Sequence, residues 1–339
     1  MNRRFDYKYP IDQCDILEKG KGEEFRKKQL QWMEWLHGED PHSINRQIYS
    51  MLWNHALFLT VNELRRIADR EPKDDVGFNG PVIHLFDAGF ATMQAITIRR
   101  LIEKPKSNPK WAVISLRSLL KDIEENLDLI TRENYVCYDG LPYDYNLVYQ
   151  KWLSSLSPSN YVGSLPTQGP DAWRTSALCH EDFDILAQVH PKNRSREDRI
   201  RIEVLKHLKE TELKKCENIK KYVDKFIAHA ATPETRRDLL DKEQGGLTLK
   251  HLETCYKAIY QVASFISGLL LRESNLGGLP VPLYDHLKNL DKRWGNQRNL
   301  EKARKKRDEF GKEITEWNST QLWPPGFTTA WEKQAIIRT

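Results

Sequence analysis

The sequence of 339 residues predicts an all-α fold, and three observations carry this prediction. Apolar residues recur at spacings of three and four along several segments, which is the spacing of one face of an α-helix. No stretch of useful length alternates apolar and polar residues as a half-buried strand does. Glycine, proline and short hydroxyl side chains stand where the periodic segments begin and end. At about 150 residues per domain, the length fits one large or two ordinary domains.

Four helices are predicted before residue 131, each with a start or stop signal. Ser43 and Ser115 stand where the second and fourth helices begin, and we expect both to act as N-caps. Gly38 ends the first helix, while Pro72 and Pro105 follow the second and third, where a proline ring prevents a further helical turn. The predicted helices cover residues 23–37, 43–70, 81–103 and 115–130.

Between residues 131 and 193 the helical periodicity is lost. This stretch contains six of the 13 tyrosines, together with several prolines and glycines, and only a short helix is predicted, at 181–189. A connection of this length without regular structure is uncommon in a compact protein. We therefore expect a loop-rich insertion at 131–193, whose tyrosines either pack over the helices or stack on nucleic-acid bases.

Helical periodicity returns after residue 193. One long helix is predicted at 196–231, ended by Pro233, and Thr248 is expected to cap a last major helix over 248–274. Beyond Pro280 the chain is strongly charged, and Lys302 to Arg307 forms a basic block that either binds phosphates or lies on an ordinary solvated helix. The predicted organisation is an N-terminal helix with its lead at 1–42, a helical bundle at 43–279 and a charged, tryptophan-containing extension at 280–339.

Composition and the absence of common motifs exclude several classes of function but do not identify one. The balance of 53 basic and 48 acidic residues gives a net charge of +5, so a nucleic-acid partner would have to be met by a local basic patch. The first residues form no apolar leader, and no run approaches the roughly 18 apolar residues of a membrane-spanning helix, which predicts a cytoplasmic protein with no membrane partner. Five scattered cysteines indicate reduced thiols. The common phosphate-loop, dinucleotide, zinc-protease and hydrolase motifs are missing, so we predict no metal and no cofactor.

The stretch from Lys221 to His229 combines side chains suited to RNA chemistry. On a regular helix Lys221, Lys225 and His229 follow at spacings of four and form one stripe. The lysines favour a neutral imidazole that accepts a proton, and they attract a phosphate; Asp224 orients a partner or neutralises Lys221. This set suits metal-independent RNA cleavage, with His229 as general base or acid. The alternative is an ordinary helix C-terminus, where His and Lys interact favourably with the helix dipole.

The same stretch resembles a family signature. Its letters DKFIAHA are similar to the signature of HEPN (higher eukaryotes and prokaryotes nucleotide-binding) proteins, often written R-[ND]-K-x-x-A-H. The resemblance is to the abortive-infection U-type branch in particular. The earlier letters TIRRLIEKPKSNPKWAVISLRSLLKDI are similar to that branch's RL-[FIV]-[DE] element, followed by a short loop and SL-x-x-LL. Together the matching pieces lie within residues 43–274.

The resemblance implies a compact helical bundle that forms a homodimer, in which the histidine-bearing helix lines a cleft that two protomers complete. Carried over to this chain, it assigns His229, Asp224 and Lys225 to catalysis. It implies RNA or a nucleotide as ligand, and an antitoxin or another defence-system protein as a further partner. The expected function is that of an RNA-binding protein of a bacterial defence or toxin–antitoxin system, with metal-independent endoribonuclease activity left open.

The chain departs from the signature at Val223, which stands where the family has arginine. A valine cannot bind phosphate. Lys221 or Lys220 replaces the arginine from the same turn, or Arg99 and Arg100 line the cleft from the third helix. The alternative for the two arginines is that they are solvated or pair with a nearby glutamate. Lys221, Arg99 and Arg100 are therefore the expected substrate-binding residues. The alternative functions are a non-catalytic interaction or regulatory module with a degenerate site, and nucleotide binding without hydrolysis.

Overall fold

A computed structural model describes residues 6–68, 80–106, 108, 112–155, 165–229, 231–242, 247–273, 276–279, 281–285, 287–288, 297–319 and 322–327. Its α-helices are α1 (Lys19–His37), α2 (Ile44–Ala68), α3 (Gly80–Leu101), α4 (Leu116–Glu125), α5 (Arg132–Cys137), α6 (Tyr145–Ser155), α7 (Trp173–Ala187), α8 (Ile202–His207), α9 (Glu217–Tyr222), α10 (Pro233–Lys242), α11 (Leu249–Phe265) and α12 (Gln297–Ser319). In these ranges β-type pairing is limited to one isolated bridge, between Thr131 and Arg199. The predicted all-α class is confirmed. None of the described helices is long and apolar enough to cross a bilayer.

The chain divides into two compact units, each assembled from separate stretches of sequence. Unit 1 contains the described parts of residues 1–34, 119–207 and 323–339, and unit 2 those of 35–118 and 208–322. This grouping differs from the organisation expected from the sequence. The N-terminal lead and residues 131–193 belong to the same unit, and α12 belongs to unit 2 rather than to a separate extension.

Unit 1 is built around buried aromatic side chains and a close approach of its N-terminal lead. Trp32 is fully buried, and its indole Nε1 donates a hydrogen bond of 2.6 Å to Asp122. The ring of Tyr9 lies against Gly140 and Gly169, both of which have φ of +83°. A Cβ at Gly140 would lie 2.5 Å from Cδ2 of Tyr9. Glycine is therefore required here by both the backbone conformation and the space.

The expectation of a loop-rich insertion at 131–193 is wrong for the residues that the structure describes. This stretch contains α5, α6 and α7, and α7 begins at Trp173, well before the predicted helix at 181–189. The first of these helices, α5, has 6 residues, too few to show a helical period, and α6 buries none of its residues, so it has no fully buried apolar stripe. Thr131 caps α5 by accepting a hydrogen bond from the backbone N–H of Asn134.

In unit 2, α2 packs against α3, α11 and α12. The expected cap of α11 is confirmed, since Thr248 Oγ1 accepts from the backbone N–H of His251. Ser115 likewise caps α4, accepting from the N–H of Ser118 at 3.0 Å. The buried hydroxyl of Ser43 forms no hydrogen bond with the described chain, although α2 begins directly after it. All five cysteines are free and buried.

The helix predicted at 196–231 is shorter and less regular than expected. It begins with α8 at Ile202, is interrupted by a π-helical segment at Leu208–Glu212 and a 3-10 turn at Leu213–Cys216, and ends in a second π-helical segment, Val223–Ile227. In the second segment the N–H of Ala228 bonds to the carbonyl of Val223 at 2.7 Å, a wider turn than an α-helix makes. The spacing of residues along this turn therefore differs from that of a regular helix.

Candidate functional site

The strongest grouping of the predicted site residues lies in unit 2, where the C-terminal turn of α3 meets α9 and the following π-helical segment. The contact is made by Asp224, whose carboxylate joins two cations. Arg99 Nε lies 2.7 Å from Oδ1 and Lys220 Nζ lies 2.8 Å from Oδ2. We call Arg99, Lys220 and Asp224 the Asp224 cluster.

The electrostatics of this cluster keep Asp224 ionised. Partial burial raises the pKa of its carboxyl, but the hydrogen bonds from Lys220 and Arg99 outweigh that effect, and the pKa is lowered. A carboxylate with a lowered pKa is a weak proton acceptor at neutral pH. Asp224 is thus suited to holding the two cations in place rather than to transferring a proton.

Arg99 keeps most of its hydrogen-bonding capacity. Only Nε donates to Asp224, while the Nη nitrogens donate no hydrogen bond within the described chain. Glu103 is 3.8 Å from Nη2, beyond hydrogen-bond distance, and its own close ion pair is with Lys106 at 3.0 Å. The Arg99 side chain is 32% exposed. An arginine held through Nε leaves its Nη edge, the edge that binds phosphate oxygens in pairs, available to a ligand.

Further exposed cations lie near the cluster in sequence. Lys221 and Lys225 are exposed on α9 and on the π-helical segment, and Arg100 is exposed at the end of α3. No ion pair with a described residue neutralises any of them. The chain around the Asp224 cluster therefore carries more positive than negative charge toward solvent.

Several expectations for the site need correction. Asp224 pairs with Lys220 and Arg99, not with Lys221. His229 does not continue a helical stripe with Lys221 and Lys225, because the helical run ends at Ile227 and His229 lies exposed in a bend beyond it. Pairing of Arg99 with a nearby glutamate is the weaker of its two contacts. The structure brings Arg99 to Asp224, and it places Lys221, Lys225, Arg100 and His229 at the surface.

Val223, where the sequence departs from the signature, is the first residue of the π-helical segment. Its side chain is 2% exposed, so this position faces the interior of unit 2. The role of Lys220 could have been recognised from its spacing of four residues from Asp224, which is the spacing of helical ion pairs.

Unit 1 contains a second charged network, which was not predicted from the sequence. Arg132 is fully buried, with Nη1 2.8 Å from Asp184 and Nε 2.7 Å from Asp198, and Arg194 shares the Asp184 carboxylate. Beside it, His180 bonds through Nε2 to the carbonyl of Tyr143 at 2.9 Å. Burial, with smaller contributions from Arg132 and Arg194, lowers the pKa of His180 to about 4. These groups are almost entirely enclosed, so the network is suited to holding unit 1 together.

The described residues contain no group of three or more potential metal ligands. The potential metal ligands His251 and Cys255 are one helical turn apart on α11. The His251 side chain takes part in the N-terminal cap of the helix, and the Cys255 thiol is buried against the carbonyl of Lys215. What the Asp224 cluster can do chemically is bind an anion through the donors that the carboxylate leaves free.

Comparison with protein-family models, with curated proteins and with solved structures gives no match to this chain.

Proposed function

We propose that this chain is an RNA-binding protein that contacts the RNA backbone through the Asp224 cluster and the exposed cations beside it. The observation that carries the proposal is the joining of Arg99 and Lys220, from separate helices, by the Asp224 carboxylate. The phosphate backbone is the part of RNA that lysine and arginine recognise without regard to sequence. In keeping with the HEPN resemblance, we place the protein in the cytoplasm of a bacterium, in a defence or toxin–antitoxin system, and as a homodimer.

Binding without cleavage is the form of this proposal that the geometry favours. Val223 is buried, so it leaves the signature's arginine position without a cation. Asp224 is tied to two cations, and its lowered pKa makes it a poor base. The HEPN-like bundle would then serve as a binding and regulatory module with a degenerate active site.

Metal-independent endoribonuclease activity is the second candidate, and the exposure of His229 favours it. The imidazole forms no hydrogen bond with any described residue, so it is free to reach a 2′-hydroxyl of bound RNA. In that mechanism His229 would transfer the proton, and Arg99 and Lys225 would stabilise the charge that develops on the phosphorus.

One experiment separates the two. The purified full chain is incubated with single-stranded RNA, with and without EDTA, and both the bound fraction and the RNA fragments are measured. Binding without fragments, in either condition, supports the binding module. Fragments that appear in EDTA and are lost in His229→Ala, but not in His42→Ala at another exposed histidine of unit 2, support the enzyme. A chain that neither binds nor cleaves RNA contradicts both candidates.

A further inference from the structure

The segment between α11 and α12 presents large apolar side chains to solvent. We call its described residues, 276–279 and 281–285, the strap. Val281, Leu283 and Tyr284 are 83%, 102% and 73% exposed. Single exposed apolar residues are common, but three within four residues form a patch of the kind that marks interaction surfaces.

The strap is fixed at its first end. Leu276 is buried, and its carbonyl oxygen accepts hydrogen bonds from Tyr260 Oη at 2.8 Å and from Asn318 Nδ2 at 3.2 Å. The N–H of Gly277 donates to Tyr49 Oη at 3.1 Å. Three helices, α11, α12 and α2, therefore hold this end.

The second end contacts unit 2 through fewer bonds. Asp285 accepts a hydrogen bond from the N–H of Leu287 at 3.0 Å and forms an ion pair of 3.3 Å with Arg304 of α12. Leu287 is buried. Because both ends contact unit 2, the exposed apolar side chains between them lie at the surface of this unit.

The surface beside the strap is basic. Lys302 and Lys305 of α12 and Lys288 next to the strap are exposed, and no described carboxylate pairs with them. The described residues between 285 and 309 include seven basic and four acidic side chains. The basic ones are Lys288, Arg298, Lys302, Arg304, Lys305, Lys306 and Arg307, and the acidic ones are Asp285, Glu301, Asp308 and Glu309.

We propose that the strap and the basic residues of α12 dock on an anionic lipid surface. Val281 and Leu283 enter the boundary between headgroups and acyl chains, Tyr284 lies at the headgroups, and Lys302 and Lys305 bind lipid phosphates. An RNA backbone would satisfy the lysines, but it offers no apolar phase for the two aliphatic side chains. This contact differs from the sequence expectation of no membrane partner, which rested on the lack of a leader and a spanning segment.

Co-flotation of the full chain with vesicles tests the proposal. Vesicles of phosphatidylcholine alone are compared with vesicles containing about one third phosphatidylserine, at low and high salt. We expect the chain to bind the anionic vesicles, and this binding should weaken as salt is added. Binding to vesicles of phosphatidylcholine alone should be at least about tenfold weaker, because the attraction between each lysine and the anionic lipids is then missing. Leu283→Asp should weaken binding about tenfold or more, and Lys302→Glu with Lys305→Glu about as much.

The matched control is Leu178→Asp, which alters another exposed leucine, 53% accessible, on α7 of unit 1. It should bind vesicles as the unaltered chain does. No binding to anionic vesicles overturns the proposal, as does binding that Leu283→Asp leaves unchanged, since the lysines alone would then attract any polyanion. Circular dichroism of Leu283→Asp confirms that the variant is folded. We expect Leu283→Asp to bind RNA as the unaltered chain does. A failure of the lipid-docking proposal can therefore be distinguished from a failure of the proposed RNA-binding function.

Discussion

Replacing Arg99 with alanine tests whether its free Nη edge contacts RNA. In the structure Arg99 binds Asp224 through Nε alone and remains 32% exposed. Loss of one phosphate contact should lower the slope of log affinity against log salt by about 0.7 for single-stranded RNA. Hydrogen bonds to charged groups contribute about 1.5–3 kcal/mol. Because the Arg99 guanidinium also binds Asp224 and is partly solvated, we expect its loss to cost about 1.5 kcal/mol of binding free energy, the lower end of this range. RNA binding should then be about tenfold weaker.

The fold should tolerate this change. An ion pair with both partners about one-third exposed contributes on the order of 0.2–1 kcal/mol, and Asp224 keeps Lys220 as a partner. Fluorescence anisotropy of a labelled single-stranded RNA at several salt concentrations measures the affinity, and urea unfolding of the same variant measures stability. Arg65→Ala is the control, since Arg65 forms a comparable pair with Asp87, also at 2.7 Å, elsewhere in unit 2.

A double-mutant cycle of Arg99→Ala and Asp224→Asn shows whether Arg99 contacts RNA or only neutralises the charge of Asp224. If Arg99 only neutralises Asp224, removing both charges restores RNA binding. If Arg99 contacts RNA, the double variant stays about as weak as Arg99→Ala, while Asp224→Asn alone changes affinity by less than about threefold, because the site loses a negative charge and keeps its cations. Wild-type affinity and salt dependence in Arg99→Ala would refute the proposed contact.

Three further predictions concern stability. The pKa of His180 is about 4 in the folded chain and 6.5 when unfolded, so between these values only the unfolded chain takes up the proton. Stability should therefore fall as pH drops through that window, by up to about 3 kcal/mol, and His180→Gln should reduce the fall in urea titrations at each pH. Gly140→Ala should cost about 2–4 kcal/mol in urea unfolding, because φ is +83° and the new Cβ meets the ring of Tyr9. Ser267→Ala should lower the free energy of unfolding by about 1–2 kcal/mol, because the buried hydroxyl shares a hydrogen bond of 2.8 Å with His37.

Each of these variants has a matched control. His42→Gln alters an exposed histidine, Gly20→Ala a helical glycine with nothing within 4 Å of its added Cβ, and Ser154→Ala an exposed serine on α6. All three should leave stability within about 0.5–1 kcal/mol of the starting value. An acid-induced loss of stability that is identical in His180→Gln, or a Gly140→Ala chain as stable as Gly20→Ala, would contradict the corresponding argument.

Two of the three predicted N-caps are confirmed, while the hydroxyl of Ser43 forms no hydrogen bond with the described chain. Thr248 and Ser115 cap helices where the sequence placed them, because capping depends on one side chain and the next turn of backbone. The helical class follows from apolar spacing in the same local way. At 131–193 the prediction failed because α5 is very short and α6 buries none of its residues, so neither leaves a clear apolar period in the sequence.

The site was only partly predictable, because its central contacts join residues far apart in sequence. Arg99 and Asp224 are 125 positions apart, and their pairing was not among the alternatives that the sequence left for the arginines. Lys220 and Asp224 are 4 positions apart, and their ion pair was accessible to helical reasoning. In unit 1, Arg132 is 66 positions from Asp198, and apolar periodicity gives no information about such a pair.

Burial decides whether residue 223 can carry the arginine that the HEPN-like signature has at this position. The position suggested by letter spacing, Val223, faces the interior of unit 2 at 2% exposure. Val223→Arg would bury an unpaired guanidinium and should destabilise the chain by about 3–5 kcal/mol, which urea unfolding measures. Lys221→Arg instead places a guanidinium at the exposed surface two residues away and should leave stability unchanged. If Val223→Arg proves as stable as Lys221→Arg, residue 223 reaches solvent, and the case for a degenerate site fails.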